Sequence, residues 1–127
     1  MKLIIANWKM NPATENEAAV LARATDVAGL IIAPPFPFLK IVKNNLKNAL
    51  LGAQDLFWEK SGAYNGEVSA QELKSMGVEY VIIGHSERRA LGETDEIVAK
   101  KLKAALEAGL IPVLCVGESA AERASRQ

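Results

Sequence analysis

Five short apolar runs, at residues 3–6, 30–33, 49–53, 80–84 and 111–116, are rich in Ile, Val and Leu and do not alternate with polar residues. A strand with one wet face alternates at every second position, whereas a continuous run predicts burial on both faces, as in a parallel sheet covered by helices. The runs are too short for buried helices, so each is read as a strand.

The intervening stretches carry helix signals. Thr14-Glu15-Asn16-Glu17 predicts a capping box opening a helix that reaches about Ala28, and Ser69-Ala70-Gln71-Glu72 repeats the device before a shorter helix. Gly92-Glu93-Thr94-Asp95-Glu96 opens the clearest helix, with Ile97, Val98, Leu102 and Leu106 spaced for one apolar face. Gly29, Gly77 and Gly109 stand just before strand runs, the place of left-handed helix caps. The repeating unit is strand, loop, helix, glycine, which defines an α/β chain.

Strand starts near residues 3, 30, 49, 80 and 111 give intervals of 27, 19, 31 and 31. Two architectures suit such units: an open doubly wound sheet of flavodoxin-like size, or part of a (β/α)8 barrel, which takes about 250 residues. Spacing alone does not choose between them. No linker, low-complexity tract or charge block divides the 127 residues, which are read as a single domain, 1–127.

Composition narrows the partners. Half the residues are hydrophobic, which argues against disorder. Fifteen basic and fifteen acidic side chains cancel, so no charge footprint favours nucleic acid or a membrane surface. Any bound anion must be held by a few placed groups. The one cysteine, Cys115, excludes an internal disulfide, fits a reducing cytosol, and reads as a small buried hydrophobe. The N-terminal apolar run is too short for a signal peptide, and no stretch approaches the ~18 apolar residues of a membrane span. The expected setting is cytoplasmic. Metal-ligand spacings and glycine-rich phosphate loops are absent, so no cofactor or metal is expected.

In parallel α/β folds chemistry collects at the carboxyl ends of strands. If strand geometry persists past Ala6, Asn7 and Lys9 share one face and Trp8 packs on the other. Lys9 then either neutralises a bound anion oriented by Asn7 or is a surface lysine with its stem along the strand end. The only histidine, His85, follows the buried run Val81-Ile82-Ile83-Gly84, and Ser86-Glu87-Arg88-Arg89 reads as a first helical turn. A helix N-terminus disfavours imidazolium, and a neutral ring can polarise a substrate carbonyl; the alternative is a structural histidine bonded to backbone. Arg88 and Arg89 are expected as ion-pair partners, one of them with Glu93. The long stretch 54–67 lacks helix or strand signals, and its Phe57, Trp58 and Tyr64 suit either an interface or a loop folded back on its own domain. Gly117-Glu118-Ser119 can begin another helix.

Taken together, six strings resemble the triosephosphate isomerase family: Ala6-Asn7-Trp8-Lys9-Met10-Asn11, Ala33-Pro34-Pro35-Phe36-Pro37, Gly52-Ala53-Gln54-Asp55, Ser61-Gly62-Ala63-Tyr64-Asn65-Gly66-Glu67-Val68-Ser69, Ile83-Gly84-His85-Ser86-Glu87-Arg88-Arg89 and Cys115-Val116-Gly117-Glu118. They occur in the family's order across essentially the whole chain. The resemblance implies a partial (β/α)8 barrel, five parallel strands with intervening helices, in an enzyme of glycolysis and gluconeogenesis. That enzyme interconverts dihydroxyacetone phosphate and D-glyceraldehyde 3-phosphate without cofactor or metal. Carried over, Asn7 and Lys9 contact the triose phosphate, Lys9 counters its charge, His85 is the neutral electrophile, and Ser86 and Glu87 support it. The long loop corresponds to the arm that enters a neighbouring subunit, with Asn65 where the family carries threonine. The turn Arg89-Ala90-Leu91-Gly92 is one residue shorter than in many relatives. The family's base glutamate and its phosphate-binding amides lie after later strands, and neither Glu87 nor Glu118 matches the base's motif. The resemblance therefore implies an inactive chain when alone, completed by a C-terminal half-barrel, or else a non-catalytic half-barrel that self-associates into a homo-oligomer.

Overall fold

A computed structural model describes residues 2–125. The strands are β1 (Ile4–Asn7), β2 (Leu30–Ala33), β3 (Leu50–Ala53), β4 (Tyr80–Ile83) and β5 (Ile111–Leu114). All four neighbouring pairs are parallel and the sheet order is β1-β2-β3-β4-β5. That order decides between the two architectures. A doubly wound sheet reverses direction at a switch point; consecutive right-handed crossovers put every helix on one face, so the sheet curls as part of a barrel.

Alternate strand residues serve the two faces. Ile32, Leu51, Ala53, Val81 and Ile83 join the core beneath the helices, with Ala18, Leu39, Val42, Leu73, Val98 and Ala105. On the opposite face a Cβ at Gly52 would lie 3.0 Å from Ile31 Cγ2, so only glycine lets Ile31 bury fully there. The expectation of strands buried on both faces holds for β2, β3 and β4. It fails at the edges, where Ile4 is 66% and Ile111 50% exposed, because edge strands have a neighbour on one side only.

The helices are α1 (Glu15–Ala24), α2 (Leu39–Asn44), α3 (Ala70–Ser75), α4 (Ser86–Ala90), α5 (Asp95–Glu107) and α6 (Ala120–Ala124). Ser69 and Glu72 close the expected capping box of α3, and Ser119 and Glu122 close another that opens α6. At α1 only Thr14 caps, and the helix stops at Ala24 rather than near Ala28. Thr25 Oγ1 donates back to Leu21 O, and Asp26 is drawn away by the backbone N–H groups of Lys47, Asn48 and Ala49. The short helix α2, led in by a 3-10 turn at Phe36–Phe38, has no side-chain N-cap and gave no sequence signal. Gly29, Gly77 and Gly109 adopt φ of +86°, +85° and +80°, as expected of left-handed caps.

The apolar face of α5 is also corrected. Its buried residues are Val98, Lys101 and Ala105, while Leu106 is 59% exposed. Residues 98, 101 and 105 stack on successive turns, and 106 lies one residue further around the helix. Val98 is buried and Leu102 packs against the core as expected, whereas Leu106 does not and Lys101 is buried in its place on the helix's inner face.

Asp26 ties the end of α1 to the start of β3, and the hydrogen bonds from the Ala49 and Lys47 amides hold its carboxyl below the ordinary carboxylate range. A carboxyl lowered by folding contributes stability above its unfolded value of about 3.9, which is lost as pH falls through the folded value. Asp26→Asn is expected to be less stable than the native chain at neutral pH and to flatten the decline below pH 4. Denaturant midpoints measured from pH 7 to pH 2 test this; identical pH profiles would count against the carboxylate's role.

Candidate functional site

The carboxyl ends of β1, β3 and β4 meet around one small group of polar side chains. Asn7 ends β1, but strand geometry does not continue to Lys9, whose φ is 55°. Left-handed backbone costs a residue with a Cβ about 1–2 kcal/mol, so other contacts must impose it. The Lys9 N–H donates to Asn7 Oδ1 (2.9 Å), and the Lys9 carbonyl accepts from Gln54 Nε2 (2.8 Å). Asn7 and Lys9 are thus brought together by a tight turn, and not by strand alternation as expected. Trp8 packs against the core, as expected.

From that turn the Lys9 ammonium reaches Glu87 Oε1, 2.6 Å away on α4. This hydrogen bond, together with the positive charge of Lys9, lowers the Glu87 carboxyl below its ordinary range. Both side chains are more than half exposed, so the pair adds little to stability. What it sets is where the lysine's charge rests.

Gly84 turns the chain out of β4. Its φ of +74° and the approach of Val98 Cγ1, 3.3 Å from where a Cβ would be, both exclude a larger residue without strain. His85 follows as the N-cap of α4, and its Nδ1 accepts the Glu87 N–H at 3.1 Å. An accepting Nδ1 carries no proton, so the neutral ring bears its proton on Nε2, the atom then able to donate to a carbonyl. The expected helix N-terminal effect is therefore a single local hydrogen bond, since α4 has only five residues. The Nδ1 also faces Glu87 Oε2 at 4.0 Å. Ser86 is exposed at the first position of α4.

Behind this group lies a charge cluster. Lys101 Nζ sits 2.6 Å from Glu93 Oε2 and 2.8 Å from Asp55 Oδ1, with Arg88 Nε 3.1 Å from Asp55 Oδ2 and 3.7 Å from Glu93 Oε2. Arg88 pairs with Glu93 as expected, whereas Arg89 pairs with Asp95. Asp55 had no assigned part in the sequence; the one visible clue was a lysine at position 101 within an apolar stripe. Gln54 likewise had no assigned role, since an amide after a strand carries no signal of its partner.

The long loop folds its aromatic base on itself. Phe57 stacks on Trp58 (centroids 4.1 Å apart) and meets Tyr64 (4.9 Å), Lys100 lies over Trp58, and Phe57 N–H donates to Val68 O. Cys115 lies just past β5, and partial burial pushes its thiol up from the ordinary value, which makes it a poor nucleophile.

The family model described as triosephosphate isomerase matches residues 2–127. The chain is 48% identical to the triosephosphate isomerase of Acidithiobacillus ferrooxidans over 96% of its own length and 51% of the relative's. It is 51% identical to that of Carboxydothermus hydrogenoformans, over 94% and 51%. The solved triosephosphate isomerase of Bartonella henselae superposes with a TM-score of 0.87 at 41% identity, covering 98% of this chain and 54% of that one. The chain spans about half the length of the relatives it matches.

Proposed function

Because the chain belongs to the triosephosphate isomerase family, we propose that it supplies the electrophilic half of a site interconverting dihydroxyacetone phosphate and D-glyceraldehyde 3-phosphate, completed by a C-terminal half-barrel. His85 donates through Nε2–H to the substrate carbonyl and passes protons between the two oxygens. Lys9 and Asn7 bind the substrate on its charged side, and Glu87 holds Lys9 in place. The observation that carries the reading is that Lys9 and His85, 76 positions apart in sequence, both contact Glu87. Glu87 is committed to Lys9, so the reading assigns the base to the completing half-barrel and expects no sustained turnover from the chain alone. The reading places the protein in the cytoplasm, in keeping with its single thiol, Cys115.

The test mixes the full chain with the portion of the Acidithiobacillus ferrooxidans relative that it does not match. Isomerase turnover is expected in the mixture and from neither part alone. Sustained turnover by the chain alone, lost in His85→Gln, would show that the base is present after all. An assembled but inactive mixture would sink the proposed function.

A second reading, a non-catalytic half-barrel that self-associates, is favoured by the open edges: Leu3 and Ile4 on one, Ile111, Leu114 and Val116 on the other are exposed. Sedimentation decides here; a soluble monomer at micromolar concentration contradicts self-association.

A further inference from the structure

One amide joins three strand ends. Gln54, just past β3, donates through Nε2 both to the Lys9 carbonyl (2.8 Å) and to the Ala33 carbonyl at the end of β2 (3.0 Å). Both hydrogens of the amide are thereby used. Lys9 is the residue that needs holding: among the described residues it is the one non-glycine with a positive φ. Its N–H is satisfied by Asn7 Oδ1 and its carbonyl by Gln54, so the peptide is gripped from both sides.

We propose that Gln54 is a positioning residue that holds Lys9 in its left-handed conformation and so fixes its ammonium at Glu87, beside His85. The proposal rests on the reading of Lys9 as the cation for the substrate's charge. Relaxation of Lys9 to negative φ would swing its side chain away from α4, and nothing in the exposed Lys9–Glu87 pair is strong enough to prevent that alone. The twin bonds to Lys9 and Ala33 tie the turn to strands that are themselves paired, which gives the amide a rigid anchor. Methionine at position 54 matches glutamine in length and shape but donates nothing. Glutamate would place acceptors against two carbonyls.

The Glu87 carboxyl reports where the Lys9 ammonium is, since that hydrogen bond is the main cause of its lowered titration, with His85 the other titratable group facing it. Carbon-detected NMR titration of the full chain is expected to show Glu87 below the ordinary glutamate range. In Gln54→Met it should return to that range, as in Lys9→Met, while Glu72, held by Ser69 at the cap of α3, stays lowered. Glu87 unchanged in Gln54→Met, or already ordinary in the native chain, overturns the proposal. Should Gln54→Met not fold, the native chain still decides: a through-hydrogen-bond coupling between the Gln54 side-chain nitrogen and the Lys9 carbonyl carbon is expected, and its absence overturns the proposal. Neither readout needs turnover, so an inactive mixture with these titrations intact removes the proposed function and leaves the positioning role standing.

Discussion

Lys101→Met is expected to destabilise the protein by about 3–5 kcal/mol, the usual cost of leaving buried charge uncompensated. The side chains of Lys101 and Glu93 are each only 4% exposed, and that of Asp55 is 15% exposed. Methionine preserves the stem and its packing, so the loss reports charge rather than volume. It leaves two carboxylates sharing Arg88, whose Nε is 3.7 Å from Glu93, and Glu93 Oε1 already lacks a partner among the described residues. Urea denaturation at neutral pH measures the loss. Lys101→Met combined with Glu93→Leu should recover a substantial part, because an apolar pair replaces an orphaned ion. A single-variant loss below about 1 kcal/mol would mean that water reaches the cluster. The consequence for the site is direct: Asp55 follows Gln54 on the β3 end, and Arg88 belongs to the same short helix as Glu87, so the cluster links the two strand ends that hold Lys9 and His85.

The second large effect is chemical. In the mixture with a C-terminal half-barrel, His85→Asn is expected to lower kcat by about 10²–10³, the usual loss when one donor to a developing oxyanion is removed. Asparagine at position 85 can accept the Glu87 N–H as an ordinary N-cap, so the start of α4 and the protein's stability should survive. What it cannot do is release and regain a proton at the position of Nε2. His85→Gln should lose comparable activity and more stability, since its longer side chain is a poorer cap. Turnover within tenfold of the native mixture for His85→Asn would remove the histidine from the mechanism. A stability loss matching the activity loss would reduce it to a cap.

The sequence contained the α/β pattern, the five strands, the helix caps at Ser69 and the glycine terminators, because each follows from local rules: burial on both faces, a side chain bonding its own third amide, a backbone that only glycine adopts cheaply. The resemblance to one family added candidates for the site. It could not reveal the turn at Lys9. Alternation predicts that Asn7 and Lys9 share a strand face, whereas what joins them is a tight turn at φ of 55°, in which the Lys9 N–H bonds Asn7 Oδ1 and the Lys9 carbonyl bonds an amide 45 positions away. Helical spacing likewise assigned Leu106 to the core and overlooked Lys101, because a lysine's place inside depends on carboxylates at 55 and 93 that no pattern within α5 records. The choice between an open doubly wound sheet and a barrel segment was decided only by strand order, as periodicity is the same for both. Local sequence thus determined which elements form and where they stop. Tertiary structure decided which polar groups face one another, because those pairings join residues distant in sequence that meet only once the sheet has curled, and for the Lys101 cluster their strength comes from burial that exists only then.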